Sequence, residues 1–416
     1  MARTLAGEAE IRVTEPPQRS RGRFWTVVVV IALASSLAMA IAGRWAYWRY
    51  WPKKLDVSFP QAAPVPVFLR NQLLIESPTG QLLGRVGTFS DELRAYLNFE
   101  YLRSLKQVDL NRVFLTATEG KTGPEYRIYL TLDDDYLTAT PYLADLKAHR
   151  YIADFDLVST TPGEVDRIRM QTALFIAAYS RPVKSKLETL PPAKLAANVS
   201  KFILFKAKTD RRTREQLLPL PSREQASDLA ADIIAVAQFY SVPIDFFLGV
   251  GAMENNYLEV RGDLEHKVWK RKAQPGDIVL KRRRGRVLVL NYSIGVWQIT
   301  RETLRYAHQL FLADKRDYSQ LPERLRPSKE LDLDQVDSHV LTTYAGLLIR
   351  DLLDRFGGDV TKAIGAYNGG PGNPNLSYAE GVATVADYAR NVLQQAALMN
   401  GQSIARTRLV IRRNPG

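Results

Sequence analysis

Residues 243–254 read Pro-Ile-Asp-Phe-Phe-Leu-Gly-Val-Gly-Ala-Met-Glu. Pro243 stands where a first-turn proline is tolerated. The run after it predicts a helix with Phe246, Phe247, Val250 and Met253 as core positions. Gly249 and Gly251 each cost roughly 1 kcal/mol relative to alanine in a helix interior. That cost makes sense where another backbone approaches closely. Glu254 closes the run, just before the turn formers Asn255 and Asn256. A carboxyl there is partly desolvated, which favours its neutral form. A neutral carboxyl near physiological pH is what a general acid requires. Taken alone, the same helix suits an ordinary surface glutamate equally well.

Three downstream segments change that balance. Ser293-Ile-Gly-Val-Trp-Gln298 is a glycine-containing segment leading into a helix. Arg350 to Asp359 closes an amphipathic helix at a glycine C-cap. Ala363-Ile-Gly-Ala-Tyr-Asn-Gly-Gly-Pro-Gly372 is a helix ending in a glycine-rich turn. With these in order, residues 223–395 resemble the soluble lytic transglycosylase family, whose domain has the lysozyme-like fold. The family pattern is a helix ending in Glu, then Ser-x-Gly-x-x-Gln, then Ala-Tyr-Asn-x-Gly-x-Gly, then a tyrosine in the last helix. The matching residues are Glu254, then Ser293, Gly295 and Gln298, then Tyr367, Asn368, Gly370 and Gly372, and finally Tyr388.

The match has departures. Asn255 stands where the family usually has Ser, and Trp297 where it usually has Met. From Glu254 to Ser293 is 39 positions, far more than in the family. The extra segment, about 258–290, carries Lys267-Val-Trp-Lys-Arg-Lys272. It also predicts a β-hairpin, Ile278–Leu280 against Val287–Leu290, around the basic turn Lys281–Gly285.

The resemblance implies a peptidoglycan lytic transglycosylase. Such an enzyme cleaves the β-1,4 bond between N-acetylmuramic acid and N-acetylglucosamine and leaves a 1,6-anhydro end. Glu254 would act as general acid and then as base. Tyr367 would orient it. Gln298, Asn368 and Tyr388 would line the sugar cleft, and Ser293 would help near the leaving group. Gly295 and Gly370 would permit close backbone approach. Two other functions remain open. One is a lysozyme-type hydrolase, with Glu259, Asp263 or Asp277 as a second carboxylate; an inverting pair lies about 6.5–9.5 Å apart. The other is a non-catalytic glycan-binding envelope protein. Arg282–Arg284 with Trp269 nearby suits anionic groups of the cell wall, or is simply a solvated turn.

Composition narrows the partners. The chain has 416 residues, 46% of them hydrophobic, with a formal charge of +13. It has no cysteine, which removes disulfides, thiol nucleophiles and an acylated N-terminal Cys. The four histidines, His149, His266, His308 and His339, have no metal-ligand spacing. No metal or cofactor is implied, and no protein partner is named. The partners expected are peptidoglycan glycan strands and the inner membrane, not nucleic acid.

The overall class expected is α+β. Residues 1–23 read as a cytoplasmic N-terminus. Residues 24–43 read as a transmembrane helix, preceded by Arg19, Arg21 and Arg23 and followed by Trp45, Tyr47, Trp48, Tyr50 and Trp51. A signal peptide cleaved near Ala40-Ile-Ala42 is the alternative. The anchored form is a single-pass protein of the bacterial inner membrane with its bulk in the periplasm. Residues 44–66 read as a Pro- and aromatic-rich linker, and 67–180 as a small α+β domain. That domain's expected elements are a helix from Ser90, strands at Val113–Thr118, Tyr126–Leu132 and Tyr151–Val158, and a helix after Pro162. Its Asp133–Asp135 run reads as a strand-end turn rather than a cation site. Residues 181–221 read as a connector, 222–400 as a mainly α lysozyme-like domain opened by the Ser222/Gln225 capping box, and 401–416 as a basic tail.

Overall fold

The computed structural model describes residues 81–132, 136–181 and 186–399, with Val29, Ser35, Ser36, Ala38 and Met39 near the N-terminus. The chain divides into two compact units, 1–64 and 65–416, and nearly all described residues belong to the second. The expected linker, Asp133–Asp135 and basic tail lie outside the described residues, as does most of 24–43.

Among the described residues no helix is long and apolar enough to cross a membrane. This corrects the expected transmembrane helix, and with it the single-pass inner-membrane placement. A crossing needs about 20 consecutive apolar residues. The long helix Arg223–Tyr240 instead alternates buried and solvated faces, and Ser338–Arg355, buried through its middle, carries Arg350, Asp351, Asp354 and Arg355 in its last turns.

The first part of the second unit is a four-stranded antiparallel sheet with helices. Its strands are β1 (Gln81–Phe89), β2 (Val113–Gly120), β3 (Gly123–Thr131) and β4 (Asp156–Thr160), in the order β2-β3-β1-β4. The helix expected from Ser90 is α1 (Glu92–Arg103), capped by Asp91, whose carboxylate accepts from the Arg94 N–H at 2.7 Å. Helices α2 (Tyr136–Ala148) and α3 (Pro162–Tyr179) follow. Strand β2 is an edge, and α3 covers it. The Leu115 N–H donates to the Thr172 hydroxyl at 2.9 Å, and Gln171 Nε2 donates to the Ala117 carbonyl at 3.0 Å. An open strand edge is thereby satisfied by side chains.

The expected connector contains an 18-residue helix, α4 (Pro192–Thr209). Its prolines lie at the start, where they suit a first turn, and Leu195, Val199, Phe202 and Ile203 are buried. Helix α4 packs on α1 and on the helices that follow. A short turn of helix, α5 (Arg211–Arg214), ends the segment.

The remaining helices are α6 (Arg223–Tyr240), α7 (Ile244–Asn255), α8 (Arg301–Ala313), α9 (Ser338–Arg355), α10 (Val360–Gly369) and α11 (Leu376–Met399). The capping box of Ser222 and Gln225 is formed. Between α7 and α8 the expected hairpin is part of a larger sheet. Strands β5 (Arg261–Lys270), β6 (Ile278–Arg283) and β7 (Arg286–Ile294) pair in the order β5-β7-β6, and β8 (Ile299–Thr300) also pairs with β7. Arg284 and Gly285 both have positive φ, 43° and 71°. That is what a two-residue hairpin turn needs to match strand twist. One hydrophobic core runs from Leu82 in β1 to Ala396 in α11, so sheet and helices share an interior.

Candidate active site

Helix α7 lies against α11, and the two glycines explain how. A Cβ on Gly249 would stand 2.7 Å from the Val382 carbonyl oxygen of α11. A Cβ on Gly251 would instead meet the Tyr257 ring at 2.7 Å and the Trp297 ring at 3.3 Å. One glycine therefore admits a backbone, and the other admits aromatic rings. Arg390 of α11 donates from Nε to Asp245 at 2.9 Å and ties the far end of the same pair.

This packing puts the start of α11 beside the end of α7. Tyr378 there donates its hydroxyl to Glu254 Oε1 at 2.6 Å. Glu254 is half-buried. Burial pushes its carboxyl up to about 7, against the smaller opposite pull of the Tyr378 hydrogen bond. A carboxyl so placed keeps a large neutral fraction near neutral pH.

The turn that ends α7 is braced from the former connector. Asn256 and Tyr257 take the left-handed conformation, with φ of 47° and 61°. Arg212 donates to the Asn255 carboxamide, and Asn256 donates to Asp210 at 3.1 Å. Arg212 also pairs with Asp210 at 3.0 Å. The Asn found where the family has Ser is thus buried and bonded within this turn.

Ser293, Gly295 and Gln298 form one tight turn between β7 and β8. Ser293 is buried and donates its hydroxyl to Gln298 Oε1 at 2.7 Å. Gln298 Nε2 donates to the Gly295 carbonyl at 2.7 Å. Gly295 has φ of 70°, and a Cβ on it would meet Leu341 at 2.7 Å. The polar groups of Ser293 and Gln298 are spent on the turn and on the Val260 carbonyl, to which Gln298 Nε2 also donates at 3.4 Å. The turn places Trp297, fully buried, in a stack on Phe247 with ring centroids 4.3 Å apart. Trp297 Nε1 donates to the Thr342 hydroxyl at 2.9 Å.

Tyr367 donates to the Trp297 carbonyl at 3.0 Å, so its hydroxyl links α10 to the turn and not to Glu254. It stands near the carboxylate all the same: burial first and the Glu254 charge second hold its phenol far above the usual range. Asn368 is exposed and accepts from Asn375 at 2.8 Å. Gly370 has φ of 79° and open space where a Cβ would go. Its need is conformational, and the close backbone approach occurs at Gly365 and Gly369, both against Asn375.

Tyr388 is not brought to Glu254. It lies ten positions beyond Tyr378 on α11, roughly 15 Å along the axis. Its ring packs on Phe202 and Phe205 of α4, with centroids 6.1 and 6.2 Å away. The hydrogen bond to Glu254 expected of Tyr367 is made by Tyr378. The signal for Tyr378 was present but needed the helix pairing. Glu254 is just over a turn beyond Gly249, and Tyr378 just over a turn before Val382, so antiparallel packing makes them meet.

Of the candidate second carboxylates, Asp277 is held by Arg305 at 2.7 Å. Burial works to raise its pKa, but the Gln274 N–H and Arg305 outweigh it and leave the carboxyl below its usual range. Glu259 is exposed, and the side chain of Asp263 lies outside the described residues. Among the described residues no group of His, Asp and Glu could hold a metal ion. Arg282, Arg283 and Arg284 are solvent-exposed at the hairpin tip, with Trp269 48% exposed on β5. In comparisons with known proteins, no family model matches the chain and no curated protein matches it.

Proposed function

We propose that this chain is a peptidoglycan lytic transglycosylase with Glu254 as its single acid–base group. The observation that carries the reading is Glu254 itself: half-buried, raised to about 7, and bonded by Tyr378. Glu254 protonates the glycosidic oxygen as the bond from C1 of N-acetylmuramic acid breaks. The carboxylate left behind takes the proton from the muramyl C6 hydroxyl, whose oxygen closes onto C1. The acid is regenerated, no water is consumed, and the product carries a 1,6-anhydro ring. The ordered sequence motifs support the substrate class, and the tethering of Asp277 by Arg305 favours one carboxylate over two.

The test is digestion of purified sacculi with mass analysis of the fragments. Wild-type protein is expected to release anhydro-ended muropeptides, and Glu254→Gln to release almost none. Full activity in the variant would remove Glu254 from the mechanism. Reducing ends in place of anhydro ends would make the enzyme a hydrolase.

A further inference from the structure

Strand β4 leaves β1 early. It pairs with β1 from Gln81 to Arg85, where Arg85 faces Asp156, and no further. Strand β1 continues to Phe89, paired there only with β3 on its other side. The register shift between Arg85 and Gly87 marks a bulge at the parting, a feature that re-aims a strand. Arg85 closes the fork by donating to Asp156 at 2.5 Å. Beyond it a cleft of about 560 Å³ opens between Val86–Phe89 and residues 151–155, floored by Arg94, Asn98 and Lys208.

Two independent features mark this cleft. The first is an open backbone edge. An antiparallel strand turns its N–H and C=O groups to both sides, so one neighbour satisfies only half of them. At β2 the same need is met by Thr172 and Gln171 of α3. Among the described residues no side chain does this along Val86–Phe89. The second is uncompensated positive charge. Lys208 donates to Asn98 Oδ1 at 3.0 Å and lies 4.5 Å from the Tyr101 ring centroid. The Arg94 guanidinium lies 5.8 Å from the Phe89 ring centroid. Among the described residues no carboxylate pairs with either. The cleft's own acids are already engaged, Asp156 by Arg85, Asp154 by Lys147 and Asp91 by Lys201. Burial, and after it the nearby Arg94, pushes the Lys208 ammonium down to about 8. An anion between these cations would relieve both effects.

We propose that this fork binds an extended acidic peptide, which adds as a strand along Val86–Phe89 and sets a carboxylate against Lys208 and Arg94. Backbone pairing supplies affinity, as in other strand-addition sites, and here the complementary charge of the cations supplies selectivity. The site uses none of the residues around Glu254.

The probe is a fluorescein-labelled hexapeptide of alternating valine and glutamate, titrated against the full chain by fluorescence polarisation. Saturable binding is expected for wild type and equally for Glu254→Gln. A valine–glutamine analogue, and at least one of two analogues N-methylated at alternate residues, are expected to bind at least tenfold more weakly. Lys208→Met is expected to cost tenfold, and Arg94→Gln, at an exposed position that does not threaten folding, severalfold. Hydrogen exchange should slow in residues 86–89 when the peptide is bound. The proposal is overturned if both N-methylated analogues bind as well as the parent, since charge alone would then explain binding. Protection at the Arg282–Arg284 hairpin instead of 86–89 would overturn it too.

Discussion

At Glu254 two effects oppose each other, and burial wins. Moving a carboxylate out of water raises its pKa, while a hydroxyl donating to the charged form lowers it. The balance leaves the group near 7. An enzyme that needs the protonated form at the start of turnover therefore loses kcat/KM as pH rises through about 7. Tyr378→Phe removes the opposing hydrogen bond, so the alkaline limb should move to higher pH. Its kcat should fall roughly tenfold or more, in line with losing a hydrogen bond to a charged group. A pH–rate series on both proteins checks this. An unmoved limb would mean that Tyr378 only packs against the acid. Tyr388→Phe is expected to leave the profile unchanged, because its ring faces Phe202 and Phe205.

At the scale of elements, the α7–α11 pair sets the site. It is tied by Asp245 and Arg390 at one end and by Glu254 and Tyr378 at the other, with Gly249 against Val382 between them. Gly249→Ala would gain roughly 1 kcal/mol in helix propensity. The new methyl would meet a carbonyl oxygen at 2.7 Å, in backbone that cannot rotate away. The overpacking outweighs the gain, for a net loss of about 2 kcal/mol. Denaturant unfolding measures it, and an unchanged or raised midpoint would contradict the close approach. The insertion has a comparable element-scale role: its last strand, β7, delivers the Ser293–Gln298 turn and so places Trp297 under α7.

For the molecule as a whole, the continuous core joins what reads as separate segments. Helix α4 bridges α1 with α6 and α11, and Asp210 and Arg212 beyond it lock the turn after Glu254. A fragment of residues 222–399 would lack both the helix and the brace. Burying Asn255 without Arg212 leaves an unpaired polar group, which is costly in an interior. The fragment is expected to melt without a cooperative transition by circular dichroism and to lack activity on sacculi. A sharp transition with wild-type activity would mean that the helical part stands alone.

Local chemistry made several features legible from sequence. The proline-started helix to Glu254, the Ser222 capping box, strands β2 and β3, and the β6–β7 hairpin all follow from propensity, capping and turn residues acting over a few positions. Other features were not readable in this way. The prolines and lysines of 181–221 obscured α4, because its apolar face has meaning only against α1, α6 and α11. Strand β1 carries Gly84 and Gly87 and shows little alternation; its pairing with β3 and β4 makes it a strand. That Tyr378 and not Tyr367 bonds to Glu254 was likewise closed to sequence, since it depends on how α10 and α11 meet the end of α7. The sequence by itself determined which residue is the candidate acid and which local elements surround it. Only the tertiary structure decided what that acid touches, because the contact joins residues 124 positions apart and depends on where two helices cross.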